Sequence, residues 1–155
     1  MTLYALQPDP VTGSLDDATV ISQSKHGWEF LEQAITLWHL VAPQRADELE
    51  ALKRRLLLTN PNEELRIFPE DLRELVRLLL GIEDAIVLAG ITDQQWRVPA
   101  EHLEALARRV PAMDLQTDRP VETKTNALGE VISNAILLRN FLSNAAKEDC
   151  VVVLG

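Results

Sequence analysis

The chain has 155 residues, 46% of them hydrophobic and 25% charged, with one cysteine and a formal net charge of −9. That is the composition of an ordinary globular protein, long enough for a compact fold to bury about 68–70% of its unfolded surface without a metal or disulfide staple. A lone cysteine excludes an intrachain disulfide framework and points to a reducing compartment, so the thiol of Cys150 is expected to be inert.

The first 24 residues carry Pro8, Pro10 and Gly13 among Ser, Thr and Asp, which predicts an extended or irregular segment. Tyr4 and Leu6 suit a short strand within it. The segment has neither a basic start nor an apolar run, so no signal peptide is expected. From about Lys25 to Val41, Trp28, Leu31, Ile35 and Trp38 recur at spacings of three and four and share one helical stripe. Pro43 ends this element. A second helix starts near Gln44, with Ala46, Leu49, Leu52, Leu56 and Leu57 on one side, and is stopped by Asn60, Pro61 and Asn62. The short joint makes the two helices an antiparallel hairpin.

Pro69 suits the first position of a third helix, whose core face is Leu72, Leu75, Val76 and Leu79. Gly81 reads as a break. Residues Ala85 to Ile91 fit either a further helical turn or a buried strand, and helix is the favoured reading. Thr92 and Asp93 can cap a next element, and Pro99 opens a helix through Leu103, Leu106, Ala107 and Val110 that Pro111 closes. A polar loop over 112–120 precedes a long last helix from about Val121 to Lys147. Three consecutive valines follow, whose stiff side chains favour a strand. The expected architecture is a single domain over 1–155, mainly α, a bundle of about five helices. A small sheet built from the N-terminal segment, 65–68 and 151–154 is possible in it, and α+β is the alternative.

His26, His39 and His102 include no pair at helical spacing, so no metal site is expected. His26 and Glu29 read as a surface ion pair. The six glycines include no phosphate-binding loop, and neither a Gly-x-Ser-x-Gly elbow nor a Cys-His signature occurs. Acid pairs such as Glu29 with Glu32 and Glu101 with Glu104 are what acidic helices produce without catalysis. No cofactor is expected and no enzymatic activity, although a site assembled from distant residues would escape this reading. The basic clusters at Lys53, Arg54 and Arg55 and at Arg108 and Arg109 are set among acids, and no net basic recognition helix exists, so nucleic acid is not an expected partner. No run of roughly 18 uncharged apolar residues occurs, so no membrane span is expected and the cytoplasm is the expected location.

Two features stand out. In the last helix Leu128, Val131, Ile132, Ala135, Leu138 and Leu142 fall on one side at 100° per residue. Asn126, Glu130, Ser133, Asn140 and Asn144 fall on the other, with Leu137 among them. Asn and Ser are mediocre helix formers, and a solvated face ordinarily carries Glu, Lys or Arg. Either the amides bond a partner, or the face packs beneath the N-terminal segment and satisfies its backbone. The second feature is Trp96, in a polar connection where a large ring suits an exposed interface anchor. Trp28 and Trp38 instead read as core. The expected function is a non-enzymatic protein-binding module, an acidic inhibitor covering a basic partner, with a bacterial toxin-immunity protein as its concrete form. The alternative is a small-molecule sensor or regulatory domain with a pocket lined by Trp28, Trp38 and His39.

Overall fold

The computed structural model describes residues 1–59, 65–91 and 121–155, with side chains of the last helix described from Gly129 onward. The helix expected from Pro99 to Val110, its caps at Thr92 and Asp93, the loop over 112–120 and the stop at Asn60, Pro61 and Asn62 lie outside the described residues. The described elements run β1 (Leu3–Gln7), β2 (Thr19–Ser24), α1 (Gly27–Val41), α2 (Pro43–Thr59), β3 (Arg66–Ile67), α3 (Pro69–Leu79), α4 (Ile82–Leu88), α5 (Val121–Lys147) and β4 (Val151–Leu154).

The strands form one antiparallel sheet in the order β2-β1-β4-β3. The chain is therefore a helix-rich α+β protein: the small sheet considered possible from the N-terminal segment, 65–68 and 151–154 is present, and a bundle of about five helices as the whole architecture is not confirmed among the described residues. The valine tail is an interior strand, paired with β1 on one side and β3 on the other. The physical reason is that strands of two to six residues, paired across most of the chain, leave almost no periodic signal, whereas helices of eleven residues or more leave a strong one. The ambiguous stretch from Ala85 is helical through Leu88, as favoured.

One face of the sheet is built into the core. Ala5, Val152 and Ile67 lie in one cross-strand row and are at most 1% exposed. Successive residues of a strand point to opposite faces, so Tyr4, Val153 and Arg66 form the next row on the outer face. Between Ala5 and Leu6 the register with β2 shifts, leaving Ile21 as an extra residue in the edge strand. Such a bulge twists an exposed edge away from further pairing.

Trp28, Leu31, Ala34, Ile35, Leu37 and Trp38 bury the inner stripe of α1. Ala46, Leu49, Leu52 and Leu56 do the same for α2. The hairpin is clamped by two cation–π contacts, Arg45 at 4.8 Å from the Trp38 ring and Lys53 at 5.7 Å from that of Trp28. Arg45 also donates to the carbonyl of Leu80 at 3.0 Å, tying the hairpin to the end of α3. There Gly81, at φ 78°, makes the left-handed turn into α4 that a side chain would strain. Glu29 is not paired with His26 as expected but with the amino terminus of Met1. That ammonium, through its hydrogen bond, holds the Glu29 carboxyl below its ordinary pKa.

Helix α5 packs its Val131, Ile132, Ala135, Leu138 and Leu142 side inward, each at most 5% exposed. Arg139 donates to both carboxylate oxygens of Glu83 at 2.8 Å and fixes α5 against α4. Beyond Lys147 the chain reverses through Asp149 at φ 50°, with Cys150 N–H donating to the Ala145 carbonyl at 2.9 Å. This left-handed cap delivers the valines into the sheet.

Candidate functional site

Outside its core stripe, α5 presents the polar face that the sequence singled out. Glu130, Asn140 and Asn144 are exposed, Ser133 is partly buried, and Leu137 in their midst is 60% exposed. Strand β2 of the N-terminal segment approaches α5, yet Glu130, Leu137, Asn140 and Asn144 stay exposed. Among the described residues, the side-chain amides of Asn140 and Asn144 make no hydrogen bond, so they are not employed in holding the fold. Asn126 belongs to the same helix, but its side chain lies outside the described residues, as does all of Trp96.

Positions 126, 130, 133, 137, 140 and 144 are separated alternately by four and three residues. That alternation keeps a seam on one side of a helix over several turns, which is how helices present themselves to other helices. Polar residues in such a seam weaken association and select its register and partner.

A groove follows one flank of the seam, between α3 and α5. At one end a cleft of about 360 Å³ is bordered by Arg73, Val76, Ser143 and Lys147. At the other, about 420 Å³ is bordered by Leu80, Asp84, Arg139 and Asn140. Val76 and Ser143 border both, so the two run together. The charged residues of the groove balance: Arg73, Lys147 and Arg139 against Asp149, Glu83 and Asp84. Several are already paired, Arg73 with Asp149 at 3.3 Å and Arg139 with Glu83 at 2.8 Å. The groove therefore presents shape and amides rather than a net charge, while the −9 net charge of the chain acts at longer range.

The pocket considered between Trp28, Trp38 and His39 has no counterpart among the described clefts. Trp28 and Trp38 are 6% and 2% exposed in the main core, and His39 stands on the exposed side of α1. The indole Nε1 of Trp38 is buried without an acceptor, a cost of about 1–3 kcal/mol that the packing around it offsets. Cys150 is fully buried, and burial, followed by the nearby Glu148 and Asp149, pushes its thiol pKa up, which suppresses the reactive thiolate.

Sequence reasoning missed a second concavity. The loop between β1 and β2 forms, with Arg66, Phe68 and Val151, a cleft of about 540 Å³ on the outer face of the sheet. No local pattern announces it, because residues near 14, 66 and 151 meet only once the sheet has formed.

No group of three or more His, Cys, Asp or Glu side chains among the described residues is placed to hold a metal ion, and no described helix is long and apolar enough to cross a membrane. No protein-family model, curated protein or solved structure matches the chain.

Proposed function

We propose that the chain is a non-enzymatic protein-binding module that receives a helix of its partner along the α5 seam and the adjoining α3–α5 groove. The observation that carries this reading is the exposed, unbonded row of Asn140 and Asn144 around Leu137, itself 60% exposed. Asn contributes little to a solvated helix and, through its lower helix propensity, costs stability relative to Ala. A sequence that keeps them there uses them outside the fold. The net charge favours a basic partner by steering its approach, and the balanced groove then sets register. An inhibitor of the toxin-immunity kind, acting in a bacterial cytoplasm, is the concrete form of the proposal. Trp96 and Asn126 belong to the proposed surface on sequence grounds alone.

The test is a comparative capture from the source cells with the wild-type chain and with Asn140→Ala/Asn144→Ala as baits. A protein retained by the wild type at low salt, weakened at high salt, and lost from the double variant supports the proposal. Identical retention by both baits, or specific retention by neither, overturns it.

A further inference from the structure

The cleft on the outer face of the sheet holds a cation that the fold does not use. Arg66 sits in the two-residue strand β3, opposite Val153, and points away from the core into which the next residue, Ile67, is packed. Its Nε is buried and finds no acceptor. Among the described residues no carboxylate forms an ion pair with its guanidinium. A buried guanidinium nitrogen without an acceptor is costly, and most proteins satisfy such a group with a carboxylate or a carbonyl.

The walls around it are ordered. Asp9 braces the β1–β2 loop by accepting from the backbone N–H of Val11 at 2.8 Å and of Thr12 at 3.0 Å, and its own N–H donates to the Ser14 carbonyl at 3.1 Å. These two N–H donors keep the Asp9 carboxyl below its ordinary pKa, so the brace stays charged well into the acid range. The loop places Pro8, Leu15 and Asp16 on one side of the cleft. On the other side Phe68, two residues after Arg66 on extended backbone and 52% exposed, offers a ring beside Val151.

From this arrangement we infer that the cleft is a binding site for a small organic monocarboxylate with an aromatic or branched apolar body. The carboxylate accepts from the Arg66 guanidinium, and the body lies between Phe68, Val151 and Leu15. A guanidinium presents its donors in a planar fork that matches a carboxylate. The single cation and the exposed Asp16 carboxylate at the rim select against phosphate and other multiply charged anions, because each added negative charge meets repulsion without a second cation. The combination of one half-buried cation and a partly apolar wall is that of a small-ligand site rather than of a protein interface. This site is separate from the α5 seam, and neither depends on the other.

The test uses the full-length, 15N-labelled chain with three probes: phenylacetate, the neutral isostere phenylacetamide, and inorganic phosphate. The readouts are calorimetric titration and the Nε–Hε resonance of Arg66, identified by its loss in Arg66→Gln. Phenylacetate is expected to bind saturably, at least tenfold tighter than phenylacetamide or phosphate, and to shift the Arg66 resonance. Arg66→Gln should abolish that preference, and Phe68→Ala, at an exposed position that leaves the core intact, should weaken phenylacetate several-fold. Equal binding of phenylacetate and phenylacetamide overturns the inference. So does absence of saturation at millimolar phenylacetate, tighter binding of phosphate, or unchanged affinity in Phe68→Ala. The probe comparison is made on the wild-type chain, so it decides the matter even should Arg66→Gln fail to fold.

Discussion

Replacing Asn140 and Asn144 together by Ala separates a surface used for binding from one used for folding, because the two roles give opposite signs. Both residues are exposed, Asn140 lies inside α5 and Asn144 in its last turn, and neither side chain is bonded to another described group. In an exposed helix interior, Ala is favoured over Asn by up to about 0.7 kcal/mol, so the double variant should gain about 1 kcal/mol. For a chain of this size that is an increase in Tm of about 2–4 °C. Partner affinity should move the other way, since each lost amide leaves a desolvated group of the partner unsatisfied at about 1–3 kcal/mol, a loss of tenfold or more in Kd. Differential scanning calorimetry gives the first quantity, and titration with the captured partner gives the second. A fall in Tm would refute the reasoning, since it would mean that the amides hold the fold together. A rise in Tm with unchanged affinity would remove them from the interface.

Three further expectations concern the frame. Gly27→Ala should destabilise by about 1 kcal/mol in urea unfolding, because a Cβ there would lie 2.6 Å from Leu3 Cδ1 and 3.0 Å from Ser24 Oγ, so that Leu3, only 2% exposed, must shift within the core. Cys150, buried with a raised thiol pKa, should react with a disulfide reagent at the rate of global opening and become fast only in denaturant; rapid native labelling would contradict its placement. Glu29 has a folded pKa below its unfolded one, so its contribution is present above the ordinary carboxylate range and is lost as pH falls through it. With its side chain 47% exposed, that contribution is under about 1 kcal/mol after solvent screening, so Glu29→Gln should lower stability slightly near neutral pH, leave it unchanged below the carboxylate range, and so flatten the acid limb of a stability profile.

The helices were legible because each buries a stripe whose period survives over three or more turns: Trp28 to Trp38 in α1, Leu72 to Leu79 in α3, Val131 to Leu142 in α5. The exposed side of α5 was legible for the complementary reason, since a polar residue every three or four positions maps onto one face whatever the tertiary fold. The sheet was legible only as a possibility. Val151, Val152 and Val153 prefer extended backbone, but nothing in them says that Val152 will face Ala5 and Ile67 while its neighbours face outward. The Arg66 cleft was not legible at all. An arginine beside an isoleucine is unremarkable until register decides that the isoleucine takes the core side, which leaves the arginine on the opposite face without an acceptor.

The division of labour between the two faces of α5 has an energetic logic that the sheet makes possible. A helix of 27 residues could be stabilised by its own propensity, and here the exposed side forgoes that contribution by carrying Asn and Ser. Its position must then be fixed from outside. Packing of Val131, Ile132, Leu138 and Leu142, the two-oxygen contact of Arg139 with Glu83, and the cap at Asp149 that leads into an interior strand supply that restraint along its length. The row from Glu130 to Asn144 is thereby held at fixed spacing without taking part in holding itself. On the proposed reading, a surface built so can change its side chains, and with them its partner, with small effect on the fold beneath.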